Sequence, residues 1–132
     1  MAKLTAEMKE FIEKGREPVT VFVGTASQAG VPNISAKGTF IHIVDDDTLA
    51  YADVYSKKTS DNVKQNPHVT IAVISAKAYK GYQFKGRGEV VQSGPLVEAA
   101  RKQNPLSKTV TKVKVEEVFL MDYGPNAGDK VA

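Results

Sequence analysis

The chain has 132 residues, of which 42% are hydrophobic and 25% charged, proportions that exclude a disordered or fibrous protein and suit one folded domain. Cysteine is absent, so disulfides, thiolate metal sites and cysteine nucleophiles are excluded together. The 18 Lys and Arg against 15 Asp and Glu leave a net charge of +3, which favours anionic ligands modestly and falls short of a protein that coats nucleic acid.

The first residues carry charges where a secretory signal has its apolar stretch, and no run approaches membrane-spanning length, so a soluble, cytoplasmic protein is expected. In residues 4–14, Met8, Phe11 and Ile12 have helical spacing, with Thr5 to cap the start and Gly15 to stop the helix. After Pro18, residues 19–26 are rich in β-branched side chains, and Gln28-Ala29-Gly30 before Val31-Pro32 turns the chain into a second strand, completing a hairpin. There Asn33, Ser35, Lys37 and Thr39 alternate with Ile34, Ala36, Gly38 and Phe40, so the period of two gathers four polar side chains on one face. Asp45-Asp46-Asp47 makes a polar turn, and residues 48–55 form a third strand containing Leu49, Tyr51 and Val54.

Residues 56–66 read as a polar helix ended by Pro67. Residues 68–75 are almost continuously apolar and predict a central strand buried on both sides, whereas 79–91 alternate, with Gly81, Gly86 and Gly88 allowing a bend or bulge. Gly94-Pro95 opens a helix over 96–103 that Asn104-Pro105 closes. The last long strand, 109–122, carries Val113, Val115, Phe119 and Met121 on one side, and 124–130 is a polar tail expected to be loose. Six strands and three helices in the order αβββαββαβ argue against a parallel doubly wound sheet and for a mainly antiparallel barrel. No repeat or linker marks a second domain, so residues 1–132 are expected to form one.

Two stretches can carry chemistry. Ser56-Lys57-Lys58-Thr59 begins a helix, where unpaired N–H groups and the helix dipole favour an anion such as a phosphate. Ser56 or Thr59 can add hydroxyl donors and Lys58 a full positive charge; the plainer reading is an N-cap beside two solvated lysines. Asn33, Ser35 and Lys37 can donate to the carbonyl and nitrogen edge of a planar heterocycle, and Lys37 can stabilise a reduced, anionic flavin ring. The plainer reading is the solvent face of a hairpin. His42 and His68 lack a second ligand at metal spacing and read as structural or surface histidines, and the Asp45-Asp46-Asp47 run reads as a solvated turn, so no metal site is expected.

Gly30-Val31-Pro32-Asn33-Ile34-Ser35, a following strand, Tyr55-Ser56-Lys57-Lys58-Thr59, then Asn62-Val63 and Asn66-Pro67-His68-Val69 resemble, in this order and over most of the chain, the pyridoxamine 5'-phosphate oxidase-like FMN-binding family. The resemblance implies a six-stranded antiparallel split β-barrel of Greek-key type, forming a homodimer with FMN in the groove between subunits. It makes Lys58 and Thr59 phosphate ligands, with Asn62 supporting the turn. It lays Ser35, Ala36 and Lys37 along the isoalloxazine ring, largely through backbone groups, beside the Asn33 donor. Ala52 and Asp53 approach the phosphate and ribityl side, where the Asp53 carboxylate needs a cation or a ribityl hydroxyl to sit near a phosphate.

Hydride or electron transfer is then the flavin's own chemistry, and no catalytic side chain is singled out. Vitamin oxidases of the family end with an arginine and histidine segment, which Pro125-Asn126-Ala127-Gly128-Asp129-Lys130 does not match. The expectation is a small-molecule oxidoreductase, a flavin reductase or an electron carrier, with a flavin sensor on the same scaffold as a third possibility. A rival reading starts from Lys80-Gly81-Tyr82-Gln83-Phe84-Lys85-Gly86-Arg87. Tyr82 and Phe84 could stack bases beside Lys80, Lys85 and Arg87 in a single-stranded nucleic-acid-binding barrel, unless both rings face the interior.

Overall fold

The computed structural model describes residues 2–14, 19–37, 41–55 and 57–132. Among these, three helices and seven strands follow in the order α1 (Ala6–Lys14), β1 (Thr20–Ala26), β2 (Pro32–Lys37), β3 (Ile41–Asp45), β4 (Thr48–Asp53), α2 (Lys57–Gln65), β5 (His68–Ser75), β6 (Lys80–Val91), α3 (Pro95–Gln103) and β7 (Thr109–Leu120). The strands make one sheet in the order β2-β1-β5-β6-β7-β4-β3, with every neighbouring pair antiparallel. The fold is therefore mainly β and antiparallel, as expected, but with seven strands instead of six.

The extra strand comes from the segment expected as one long second strand. β2 pairs with β1 at one edge of the sheet, while β3 pairs with β4 at the other. Gly38, Thr39 and Phe40 lie between them, outside the described residues. Successive strands on opposite edges require the sheet to curl until its edges approach, which is how a barrel closes. The curl is visible in the contact between Lys37 of β2 and Asp53 of β4.

Alternation decides which side chains fill the barrel. On β1, Val21, Val23 and Thr25 are buried, and on β5, Val69, Ile71, Val73 and Ser75. Tyr51, Phe84, Leu49 and Val113 join them as fully buried side chains of the main core. The other side of β5 is only half-covered in this chain, contrary to the expectation of a strand buried on both faces. β4 is buried throughout, because Leu49 and Tyr51 enter the barrel while Ala50 and Ala52 pack with Val97 and Ala100 of α3.

β7 changes phase where the sequence shows Glu116-Glu117. Lys85 faces Glu117 but Gly86 faces Val115, so Glu116 is the extra residue of a bulge. Val118, and not Phe119, takes the next interior place, and Phe119 lies outside under Lys85. Gly86 is required at this bulge, since a Cβ there would overlap the Lys114 carbonyl oxygen.

The helices close the barrel. α1 packs Met8 into the core, with the Met8 N–H donating to Thr5 Oγ1 at 3.2 Å as the expected cap; its expected stop, Gly15, lies outside the described residues. α2 buries Thr59, Asn62 and Val63. The last residues, expected to trail loosely, are hydrogen-bonded along β7, with the Leu120 N–H donating to the Asp129 carbonyl and the Val131 N–H to that of Val118. No helix among the described residues is long and apolar enough to cross a membrane.

Candidate functional site

β2 wears its polarity inside out. Paired residues of adjacent strands share a face, and Asn33, Ser35 and Lys37 stand opposite Thr25, Val23 and Val21, all buried. The polar face of β2 thus turns toward the barrel, and Pro32, Ile34 and Ala36 turn out to solvent. The solvent-face alternative for Asn33, Ser35 and Lys37 is excluded by this register.

Two of the inward polar residues, Ser35 and Lys37, touch another element. Ser35 Oγ lies 3.0 Å from Thr59 Oγ1 in the first turn of α2, and Thr59 is fully buried. One turn further, Asn62 Nδ2 donates to Thr25 Oγ1 at 3.1 Å, fixing the helix against β1. Lys57 and Lys58 remain exposed at the helix start, whose first turn contains no acidic residue. Among the described residues of its first turn, the positive dipole end of α2 accordingly carries two lysines and the Thr59 hydroxyl. Ser56 lies outside the described residues.

Lys37 and Asp53 form the second half of the site. Lys37 Nζ stands 3.5 Å from Asp53 Oδ1, with only 6% and 3% of the two side chains exposed. Asp53 Oδ2 accepts from Thr109 Oγ1 at 2.9 Å and Thr111 Oγ1 at 3.0 Å. The cation that a carboxylate at this position requires is therefore Lys37 itself. Tyr51 completes the group, with Lys37 Nζ 5.3 Å from its ring centroid. Burial first, and then the Asp53 carboxylate, push the Tyr51 hydroxyl well above its ordinary pKa, with the Thr111 hydroxyl opposing. Among the described residues, the buried Tyr51 Oη nevertheless makes no hydrogen bond of good geometry.

Of the residues singled out in the sequence, Ser35, Lys37, Asp53, Thr59 and Asn62 converge behind β2, with Asn33 beside them and Lys58 at the rim. Ala36 and Ala52 do not join through their side chains. Ala36 points outward and Ala52 is buried under α3, on the opposite face of β4 from Asp53. As β2 is an edge strand, the backbone side of Ala36 away from β1 has no strand beside it among the described residues. Thr109, Thr111 and Tyr51 were missed. Period-two spacing from Asp53 to Tyr51, and from Thr111 to Thr109, was the available signal, but nothing local says that β7 lies beside β4.

The remaining candidates have structural roles. Asp47 receives Lys114 at 3.1 Å and Asp46 receives Lys9 at 2.7 Å. Asp45 accepts the Asp47 N–H, which lowers its pKa, and Lys9 lowers that of Asp46. The acidic run is thus a cross-linked turn. His42 and His68 are both exposed. The base-stacking platform is overturned: Phe84 is fully buried in the core, and Tyr82 is half-buried with its ring edge against Phe11 at 5.3 Å. With Phe84 inside the core, the two rings cannot act as a pair of stacking platforms.

On the outer face, the apolar side of β2 continues across β1 and β5, and a groove of about 710 Å³ opens over Gly24, Ala26, Ile34 and Thr70. Ile34 is 72% exposed and Val31 63%.

The pyridoxamine 5'-phosphate oxidase family model matches residues 4–122. An uncharacterized protein of Methanocaldococcus jannaschii is 31% identical, the alignment covering 100% of this chain and 90% of that protein. HupZ of Group A Streptococcus shares 31% identity at a TM-score of 0.77, covering 94% of this chain and 98% of the other. An FMN-binding protein from Syntrophomonas wolfei has the same fold, with 18% identity, a TM-score of 0.68 and 80% and 78% of the two chains covered. With nearly its whole length matched, the chain belongs to the pyridoxamine 5'-phosphate oxidase family.

Proposed function

We propose that this protein is an FMN-binding flavoprotein that acts as a homodimer in small-molecule redox chemistry, as an oxidoreductase or an electron carrier in the cytoplasm. The observation that supports this most is the convergence of a helix N-terminus carrying two lysines with inward hydroxyls and an enclosed ammonium. Ser35 and Lys37 of β2 and Thr59 of α2 form one polar strip behind β2. Such a strip suits a ligand that has a phosphate at one end and a planar polar ring at the other.

In this reading Lys58, Thr59 and the first N–H groups of α2 hold the phosphate. Asn62 keeps that turn in place through Thr25. Ser35, Lys37 and the free backbone edge of β2 orient the ring, with Asn33 as a further donor. Bound FMN supplies hydride or electron transfer. The outer apolar face, with Ile34 at its centre, is where a second copy would pack.

The test is the purified protein's own ligand. A yellow protein absorbing near 450 nm, as flavins do, which releases FMN on denaturation, supports the reading; a released deazaflavin or a colourless protein overturns it. Lys58→Ala is expected to weaken FMN retention by about 1 to 3 kcal/mol, the scale of a lost charge-assisted hydrogen bond. Unchanged affinity in titrations of the variant would remove Lys58 from the site. Stopped-flow reoxidation, and turnover with nicotinamide donors, separate a reductase from a carrier or sensor.

A further inference from the structure

Lys37 and Asp53 are enclosed to similar degrees, but their hydrogen bonding is unequal. Burying an ion pair is stable only where the remaining donors and lone pairs are met. Asp53 meets this condition, with Thr109 and Thr111 on one oxygen and Lys37 on the other. Lys37 does not. Its ammonium has three N–H donors, and among the described residues its one acceptor is Asp53 Oδ1 at 3.5 Å, with the Tyr51 ring beneath it. The carboxylate is saturated by its own strand neighbour, and the ammonium is held with donors to spare.

Position along β2 indicates what those donors meet. Lys37 lies two residues beyond Ser35, which touches the start of α2; two residues of strand advance about 7 Å. In the flavin reading, a phosphate held at α2 leaves Lys37, further along the strand, to the ring attached through the five-carbon chain. The phosphate has its own donors at α2. A dianion would also be repelled by Asp53, whereas a neutral or singly charged ring tolerates it.

We propose that Asp53 is a positioning residue: braced by Thr109 and Thr111, it commits the Lys37 ammonium to the edge of the flavin ring, and its charge limits how far that ammonium favours the reduced, anionic ring. This rests on the flavin reading above. Oxidised flavin is neutral at the ring, and the two-electron reduced ring carries a negative charge when deprotonated. A compensated lysine distinguishes the two less than a bare one does. Asp53 is thus a device that keeps the bound flavin's potential low.

The test compares oxidised FMN, reduced FMN and riboflavin binding to the full-length wild type, Asp53→Asn, Lys37→Met and the double variant under anaerobic conditions. Asp53→Asn is expected to bind oxidised FMN much as wild type does and reduced FMN at least about tenfold more tightly, a rise of about 30 mV in the two-electron potential. Lys37→Met is expected to lose the same factor for riboflavin as for FMN and to abolish the Asp53→Asn effect in the double variant. An unchanged ratio in Asp53→Asn overturns the proposal. So does a Lys37→Met defect confined to FMN, which would put the lysine on the phosphate. The Lys37→Met comparison decides the matter alone if Asp53→Asn does not fold. A wild type that binds neither form of FMN overturns the flavin reading and this proposal together, whereas normal binding with unchanged variants overturns only the second.

Discussion

A carboxylate buried to 3% exposure is stable only because three donors face it, and those donors come from strands that the chain order keeps far apart. Tyr51 beside it is the opposite case, with a buried hydroxyl that makes no hydrogen bond of good geometry among the described residues. An unpaired buried hydroxyl costs about 1 to 3 kcal/mol of desolvation. Tyr51→Phe is accordingly expected to leave the ligand-free protein as stable as before or more stable by up to about 1 kcal/mol, measured by urea denaturation at pH 7. The raised pKa adds a second signature. Unfolded Tyr51 ionises near its ordinary value of 10.0, while the folded phenol stays protonated above it. The contribution is complete below pH 10 and is lost as pH rises toward the folded value. Tyr51→Phe is therefore expected to keep more of its stability than the wild type above pH 10.

At the scale of elements, β5 begins and ends where the sequence marks it, because Pro67 and the apolar run bound it on both sides. α2 is also legible, from its polar composition and the proline that follows. What could not be read was the identity of each strand's neighbour. Alternation from Asn33 onward is the same whether the chain stays beside β1 or crosses to β4, so the division into β2 and β3 left no local mark. Asp53 was recognised as a carboxylate in need of a cation, yet its partners Lys37, Thr109 and Thr111 become visible only once the sheet order is known. The glycines of β6 announced a bend, and the structure gives one of them a strict reason. Gly86→Ala must displace the Lys114 carbonyl at the bulge, and is expected to destabilise the protein by at least about 2 kcal/mol in chemical denaturation. A smaller effect would mean that the bulge slides.

For the whole molecule, the outer face of β2, β1 and β5 is the feature without a covering layer. Its central Ile34 is 72% exposed, and its neighbours across the strands are Gly24 and then Thr70. If two copies meet there, Ile34→Asp buries a carboxylate at the contact. The variant is expected to sediment as a folded monomer in analytical ultracentrifugation and to retain less flavin than wild type; an unchanged sedimentation coefficient would place the contact elsewhere. The strand order also bears on how the molecule is made. β4 has only β3 and β7 for neighbours, and β1 is joined to that side only through β5 and β6. A nascent polypeptide leaving the ribosome therefore carries a four-stranded sheet, β2-β1-β5-β6, and a separate β3-β4 hairpin until residues 109–120 emerge, and the threonines that shelter Asp53 are among the last to arrive. Any transcript cut short before them yields open sheet edges and an unsheltered carboxylate, material for quality control and not a smaller working protein.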